Sequence, residues 1–213
     1  MYFFGTILAA DKNEIDGTNK FLLELGTKSV LSNLATQMSK TRVKEWSVVV
    51  GFDYDLHKRQ VENLPLRTVI DPDWALGFAS QVKIGLHEMP PQAVGFIVLP
   101  GDMPFFNKNT MNLLLDALDA EKGFIIVPKS GDEIFPFPLF HRKMLGEVID
   151  RLGEGNFYQM IIDHSFETYD LEIDDPSTLM RIIDKESYIK AKEIFFRRNI
   201  EPDRSIPQKE IPE

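Results

Sequence analysis

The sequence predicts an α/β chain: a three-layer α/β/α sandwich around a mostly parallel, Rossmann-like sheet. Three observations carry that expectation. Short apolar runs recur without polar alternation, as strands covered on both faces read. Stretches of helical spacing or polar composition separate them, the alternation that βαβ units require. Several runs stop at Asp, Gly or Pro, residues that turn the chain at a strand end.

Residues 3–10 form the first run, almost wholly apolar until Asp11 breaks it, and are expected as a central strand. Residues 11–20 are mostly turn formers and are expected as a loop. Thr27 or Ser29 caps a helix through Val30, Leu31, Leu34 and Met38, which are spaced for one apolar face. The unit recurs: a strand at 46–52, a polar helical stretch at 54–63, and a short strand at 66–70 that ends at Asp71-Pro72. A helix at 80–89 and a strand at 94–99 follow, then Pro100-Gly101-Asp102-Met103-Pro104, a helix at 110–118 and a buried strand at 123–127. Residues 135–140 read as a strand interrupted by Pro136 and Pro138, and so are expected at a sheet edge. Helices at 143–151 and 157–163 precede a strand at 168–173, after which Pro176 opens a short helix and a last helix runs from 185 to 198. Residues 1–199 are expected as a single domain without repeats or linkers. Residues 200–213, with three prolines and few apolar residues, are expected as a flexible C-terminal tail.

Composition narrows the function classes. The 213 residues hold 43% hydrophobic and 27% charged side chains, ordinary globular usage, so neither disorder nor a fibrous architecture is expected. No apolar run approaches the ~20 residues that span a bilayer, so no membrane is expected as a partner. A net charge of −9 opposes non-specific attraction to a phosphate backbone, so no nucleic acid is expected either. With no cysteine there is no disulfide framework and no thiolate metal site, and no basic segment precedes the first apolar run. A cytoplasmic location is expected.

In open α/β sheets ligands bind beyond the C-terminal ends of the strands. That rule selects the loops 11–20, 71–80, 100–104 and 174–176. Asp102 follows a buried strand between Gly101 and Met103-Pro104, so its carboxylate is expected to project from the sheet edge. There, together with Asp174 at another strand end, it could hold Mg²⁺ between triphosphate oxygens. The competing reading for both is a turn or helix-cap aspartate. Lys20 closes the first loop, where its ammonium could meet phosphate; a solvated surface lysine is the alternative. Phe105, Phe106, Phe135, Phe137 and Phe140 invite an aromatic acceptor site but suit core packing better. The four histidines, His57, His87, His141 and His164, share no ligand spacing and receive no role.

The order of these residues resembles the molybdenum-cofactor nucleotidyltransferases, the MobA/MocA-like group, and especially its cytidylyltransferase branch. That family opens with L-A-A-G-x-S-x-R-M-G-x-x-K, and the chain reads Leu8-Ala9-Ala10-Asp11-Lys12-Asn13-Glu14-Ile15-Asp16-Gly17-Thr18-Asn19-Lys20 at the same length. The family's N-P-x-x-x-x-G-x-x-S falls on residues 71–80, with Asp71, Gly77 and Ser80 at its fixed positions. G-D-M-P is intact at residues 101–104, and D-I-D-T-P-E-D falls on 172–178 with Asp174 at its centre. The resemblance implies that Lys20 and Asp102 are catalytic and that Leu8, Ala9, Ala10, Gly17, Lys20, Asp71, Gly77 and Ser80 bind nucleotide. It implies Mg²⁺ on Asp102 and Asp174, CTP rather than GTP as substrate, and attack by a molybdopterin phosphate on the α-phosphorus with release of pyrophosphate. A protein partner in cofactor delivery is a further implied partner.

The chain departs from that pattern in the first loop. Asp11, Asn13 and Ile15 replace the family's glycine, serine and arginine, while Glu14 and Asp16 add negative charge. Neighbouring like charges cost on the order of a kcal/mol per close pair, so the loop is expected to cradle triphosphate poorly. Exchanging Asp11 for Gly and Ile15 for Arg is expected to tighten binding. The family's G-H-P is Pro136-Phe137-Pro138 here, which alters the acceptor side. Two readings follow: an active nucleotidyltransferase, or a catalytically degenerate relative that binds a nucleotide, a cofactor or a protein.

Overall fold

The computed structural model describes residues 1–154 and 157–200, the last two by backbone alone. The expected tail lies outside the described residues from 201 onward. The strands, in chain order, are β1 Phe3–Ala9, β2 Glu14–Ile15, β3 Thr18–Asn19, β4 Glu24–Leu25, β5 Lys28–Ser29, β6 Glu45–Val50, β7 Arg67–Ile70, β8 Gly95–Pro100, β9 Ile125–Ser130, β10 Glu133–Ile134, β11 Leu139–His141 and β12 Thr168–Glu172. The helices are α1 Val30–Met38, α2 Tyr54–Arg59, α3 Phe78–His87, α4 Lys108–Asp119, α5 Leu145–Asp150, α6 Tyr158–Asp163 and α7 Lys185–Ile200. None of them is long and apolar enough to cross a membrane.

The main sheet runs β10-β9-β11-β8-β1-β6-β7, and β12 pairs with the other edge of β9. β1 lies parallel between β6 (Leu8 opposite Val49) and β8 (Leu8 opposite Pro100). Every residue of β1 and β8 is buried, and successive side chains point to opposite faces, so both faces of the sheet centre are covered. α3 packs on β1 and β6, and α4 on β9 and β11. Ser29 caps α1, its hydroxyl accepting from the Ser32 N–H at 3.1 Å, and resolves the choice between Thr27 and Ser29.

One strand of the main sheet is placed differently from the sequence reading. The strand expected at an edge, β11, lies inside the sheet, antiparallel to both β8 and β9. Pro136 and Pro138 precede the three paired residues, so neither removes a donor from the ladder, and Leu139 and Phe140 are fully buried.

The apolar interior divides. The main core surrounds the sheet, with Phe4, Ile7, Phe96, Leu99 and Phe140 among its fully buried side chains. A second, smaller cluster joins Ile15, Leu25, Val30, Phe105, Ile182 and Ala191, and so fastens the early hairpins to α7. Lys185 pairs with Asp16 at 2.8 Å, and the Tyr188 hydroxyl donates to the Glu24 carbonyl at 2.7 Å across the same seam.

Candidate functional site

β1 is followed on one side by β6 and on the other by β8, so the strand order reverses there and the loops beyond β1 and β8 part to leave a crevice. The segment after β1 is not an open loop. β2 and β3 pair as a hairpin whose turn carries Asp16 at φ 51° and Gly17 at φ 80°, the left-handed pair that a tight two-residue turn requires. The Lys20 N–H donates to the Asn13 carbonyl at 2.8 Å, and the Asn19 amide donates to the Asp11 carbonyl at 2.9 Å. The carbonyls of Asp11 and Asn13 and the N–H of Lys20 are therefore satisfied within the segment.

The hairpin delivers Lys20 to the first turn of a short 3₁₀ helix, Lys20–Leu22, where it is buried. Its Nζ lies 2.7 Å from Asp102 Oδ2. Asp102 follows β8 through Gly101, whose N–H donates to the Leu8 carbonyl at 2.8 Å; a Cβ at that position would sit 2.8 Å from the same oxygen, so only glycine fits. Arg181 completes the arrangement: its Nε meets Asp102 Oδ1 at 2.8 Å and its Nη2 meets Oδ2 at 2.8 Å, a bidentate pair. The Ile182 N–H donates to the Asp102 carbonyl at 2.9 Å and fixes the backbone that carries the arginine. Burial alone would raise the Asp102 carboxyl, but the hydrogen bonds and charges of Arg181 and Lys20 outweigh it and hold the group below its ordinary value. The carboxylate expected to project from the sheet edge is thus fully buried, because two cations converge on it.

Leu8, Asp11, Lys20, Gln81, Asp102 and Arg181 line a cleft of about 200 Å³, with Phe21, Phe78, Pro100 and Phe137 between them. Ala9 and Ala10 are buried behind it, and the Ala10 N–H donates to Gln81 Oε1 at 3.3 Å. Gly17 occupies the hairpin turn. Asp71, Gly77 and Ser80 organise the start of α3: the buried Asp71 Oδ1 accepts from the Asp73 N–H and the Ser80 hydroxyl, each at 2.9 Å, and Gly77 holds φ 81° ahead of the helix. Asp174 is exposed beyond β12 and lines neither this cleft nor its neighbour. The sequence reading assigns no role to Arg181 or Gln81. The sequence does carry a signal for the arginine, a lone charge inside the apolar run 179–183, since buried charge is almost always paired.

Among the described residues no cluster of three or more His, Cys, Asp or Glu side chains is placed to hold a metal ion. A cation that arrives on phosphates needs less, because magnesium keeps several waters and binds through one or two carboxylates. A carboxylate offers roughly four acceptor sites, and the Lys20 and Arg181 hydrogen bonds occupy three of those of Asp102. The hard oxygen donor therefore fits.

A family model described as the MobA-like NTP transferase domain matches residues 5–167. No curated protein sequence matches the chain. Among solved structures, Rv0371c of Mycobacterium tuberculosis H37Rv in complex with manganese superposes with a TM-score of 0.75 at 19% identity, over 91% of this chain and 99% of that one. A nucleotidyl transferase from Methanothermobacter thermautotroptrophicus (Mth528) gives 0.78 at 17% identity, over 93% and 99%. Molybdopterin-guanine dinucleotide biosynthesis protein A from Archaeoglobus fulgidus gives 0.68 at 13% identity, over 91% and 99%. At these identities the likeness is one of fold.

Proposed function

Because the chain belongs to the MobA-like NTP transferase domain family, we propose that it transfers a nucleotidyl group from a nucleoside triphosphate, CTP favoured, to a phosphorylated acceptor such as molybdopterin. The observation that carries this reading is the convergence of Lys20 and Arg181 on Asp102 in the crevice between the ends of β1 and β8. Asp102 and Asp11 balance the two cations across the cleft lining, and a phosphate binds there by taking over donors that now point at Asp102.

An oxygen of the acceptor phosphate attacks the α-phosphorus, the new P–O bond forms, and the bond to pyrophosphate breaks with its electron pair on the leaving oxygen. The attacking oxygen is already anionic, so no side chain has to abstract a proton. The site's contribution is positioning and neutralisation of charge. Lys20 and Arg181 hold phosphate oxygens, while Asp102 orients both. A divalent cation, with Asp102 as its protein ligand, supplies further neutralisation when bound; we assign no part in this to Asp174.

Pyrophosphate release measured with each of the four NTPs and molybdopterin tests the reading, and CTP-dependent release above all other combinations is the expected result. Absence of both pyrophosphate and nucleotide binding overturns it. The hairpin closed on its own carbonyls and the burial of Asp102 favour a second reading, a degenerate member that binds nucleotide without turnover. A CTP-dependent rise in melting temperature without pyrophosphate would support that one.

A further inference from the structure

A second cleft of about 640 Å³ adjoins the first and shares Phe137 and Arg181 with it. The guanidinium of Arg181 lies over the Phe137 ring, 5.4 Å from its centroid, which fixes the plane in which its donors point. Its side chain keeps 35% of its exposure although Asp102 keeps none, so the arginine can be reached from the second cleft while it holds the carboxylate.

The walls set the chemistry of the occupant. Ile134, Phe135, Pro176, Leu179, Met180 and Ile183 make the cleft predominantly apolar. Against these walls a polyhydroxy body would give up water and find partners only at the scattered polar residues of the lining. Charge is sparse and mixed away from Arg181, with Glu133 and Glu186 against Lys190. The Asp184 carboxylate is occupied by the Ser187 N–H and hydroxyl at 2.8 and 2.7 Å. A second phosphate placed far from Arg181 would face those two glutamates.

We infer that this cleft seats the acceptor, and that the acceptor is a small molecule with a mainly apolar body and a single phosphate that rests on Arg181. The word acceptor depends on the nucleotidyltransferase reading above; the affinity of the cleft for an apolar monophosphate does not. An oxygen of the seated phosphate faces the first cleft, forms the bond to the α-phosphorus and displaces pyrophosphate with its electron pair, with no proton to relocate.

The test is calorimetric titration of the full chain, without nucleotide or metal, with phenyl phosphate, ribose 5-phosphate and inorganic phosphate. Phenyl phosphate should bind at least tenfold more tightly than the other two. Ile183 is 56% exposed, so Ile183→Asp should fold, weaken phenyl phosphate about tenfold and leave CTP affinity within twofold. Methyl resonances of Ile134, Met180 and Ile183 in the unmodified chain provide a readout independent of that variant and should shift on addition of phenyl phosphate. Equal affinities for the three probes, or methyls that do not move, overturn the inference. If CTP binds and phenyl phosphate shows no preference, the acceptor class fails alone. If CTP does not bind but phenyl phosphate does, the nucleotidyltransferase reading fails while the apolar monophosphate site stands.

Discussion

Asp102 has no solvent exposure and two cationic partners, so its replacement has structural consequences that a strand-end carboxylate in water would not have. Asp102→Asn leaves Lys20 buried beside a neutral amide, and breaking a buried pair in this way costs about 3 kcal/mol. Urea denaturation of both forms checks this, and a loss below about 1 kcal/mol would contradict the burial described. The same carboxyl is held below its ordinary value, so its contribution is present above about pH 4 and is lost as pH falls through its folded value. His57 acts in a different window. Its ring is fully buried, edge-on to Phe21 at 5.6 Å, and burial pushes it down from 6.5 to about 4 despite the nearby Asp53. Between those values the unfolded chain takes up a proton that the folded one refuses, so stability falls with pH from above 6.5 toward 4. From pH 7.5 to pH 5 the loss should be ~2 kcal/mol. His57→Leu should remove that component of the slope, as denaturation midpoints at the two pH values would reveal.

The hairpin formed by β2 and β3 reverses one expectation about the first loop. Ile15, at the position of the family's arginine, is 6% exposed in the cluster shared with α7. Ile15→Arg should therefore not tighten nucleotide binding. Burying an unpaired guanidinium there should cost ~3 kcal/mol or more and detach α7. Amide exchange of α7 should accelerate in this variant while amides of β1 and β8 keep their protection, and unchanged exchange in α7 would sink the argument. The parallel strands were legible because each is a continuous apolar run, and so were Lys20 and Asp102, because strand-end loops point at the crevice. The bidentate Arg181 pair was not, since it joins residues 79 positions apart through a contact that no local pattern encodes. The interior position of β11 is hidden from the sequence for a related reason: proline rules describe the strand that contains the proline, and here the prolines lie just outside it.

At the scale of the whole molecule the two apolar clusters imply two levels of stability. Amides of β1, β6 and β8 should exchange only through global unfolding, while the two hairpins and α7 should open together at lower free energy. Saturating CTP, at about a hundredfold its dissociation constant, should add roughly 2.7 kcal/mol to global stability by mass action. Because Arg181 and Ile182 link the cleft to the second cluster, CTP should also raise protection in α7, and a nucleotide that stabilises the sheet without protecting α7 would uncouple the two. The seam has a further consequence in the order of synthesis. Ala191, which helps cover Ile15, is the 176th residue after it. At ~5–20 residues per second, the hairpin waits roughly 9–35 s before α7 completes the cover of its apolar face. The hairpin that carries Lys20 to the crevice is translated long before the helix packed against it, and an incomplete chain that stops before α7 presents that hairpin without Ala191 over its apolar face.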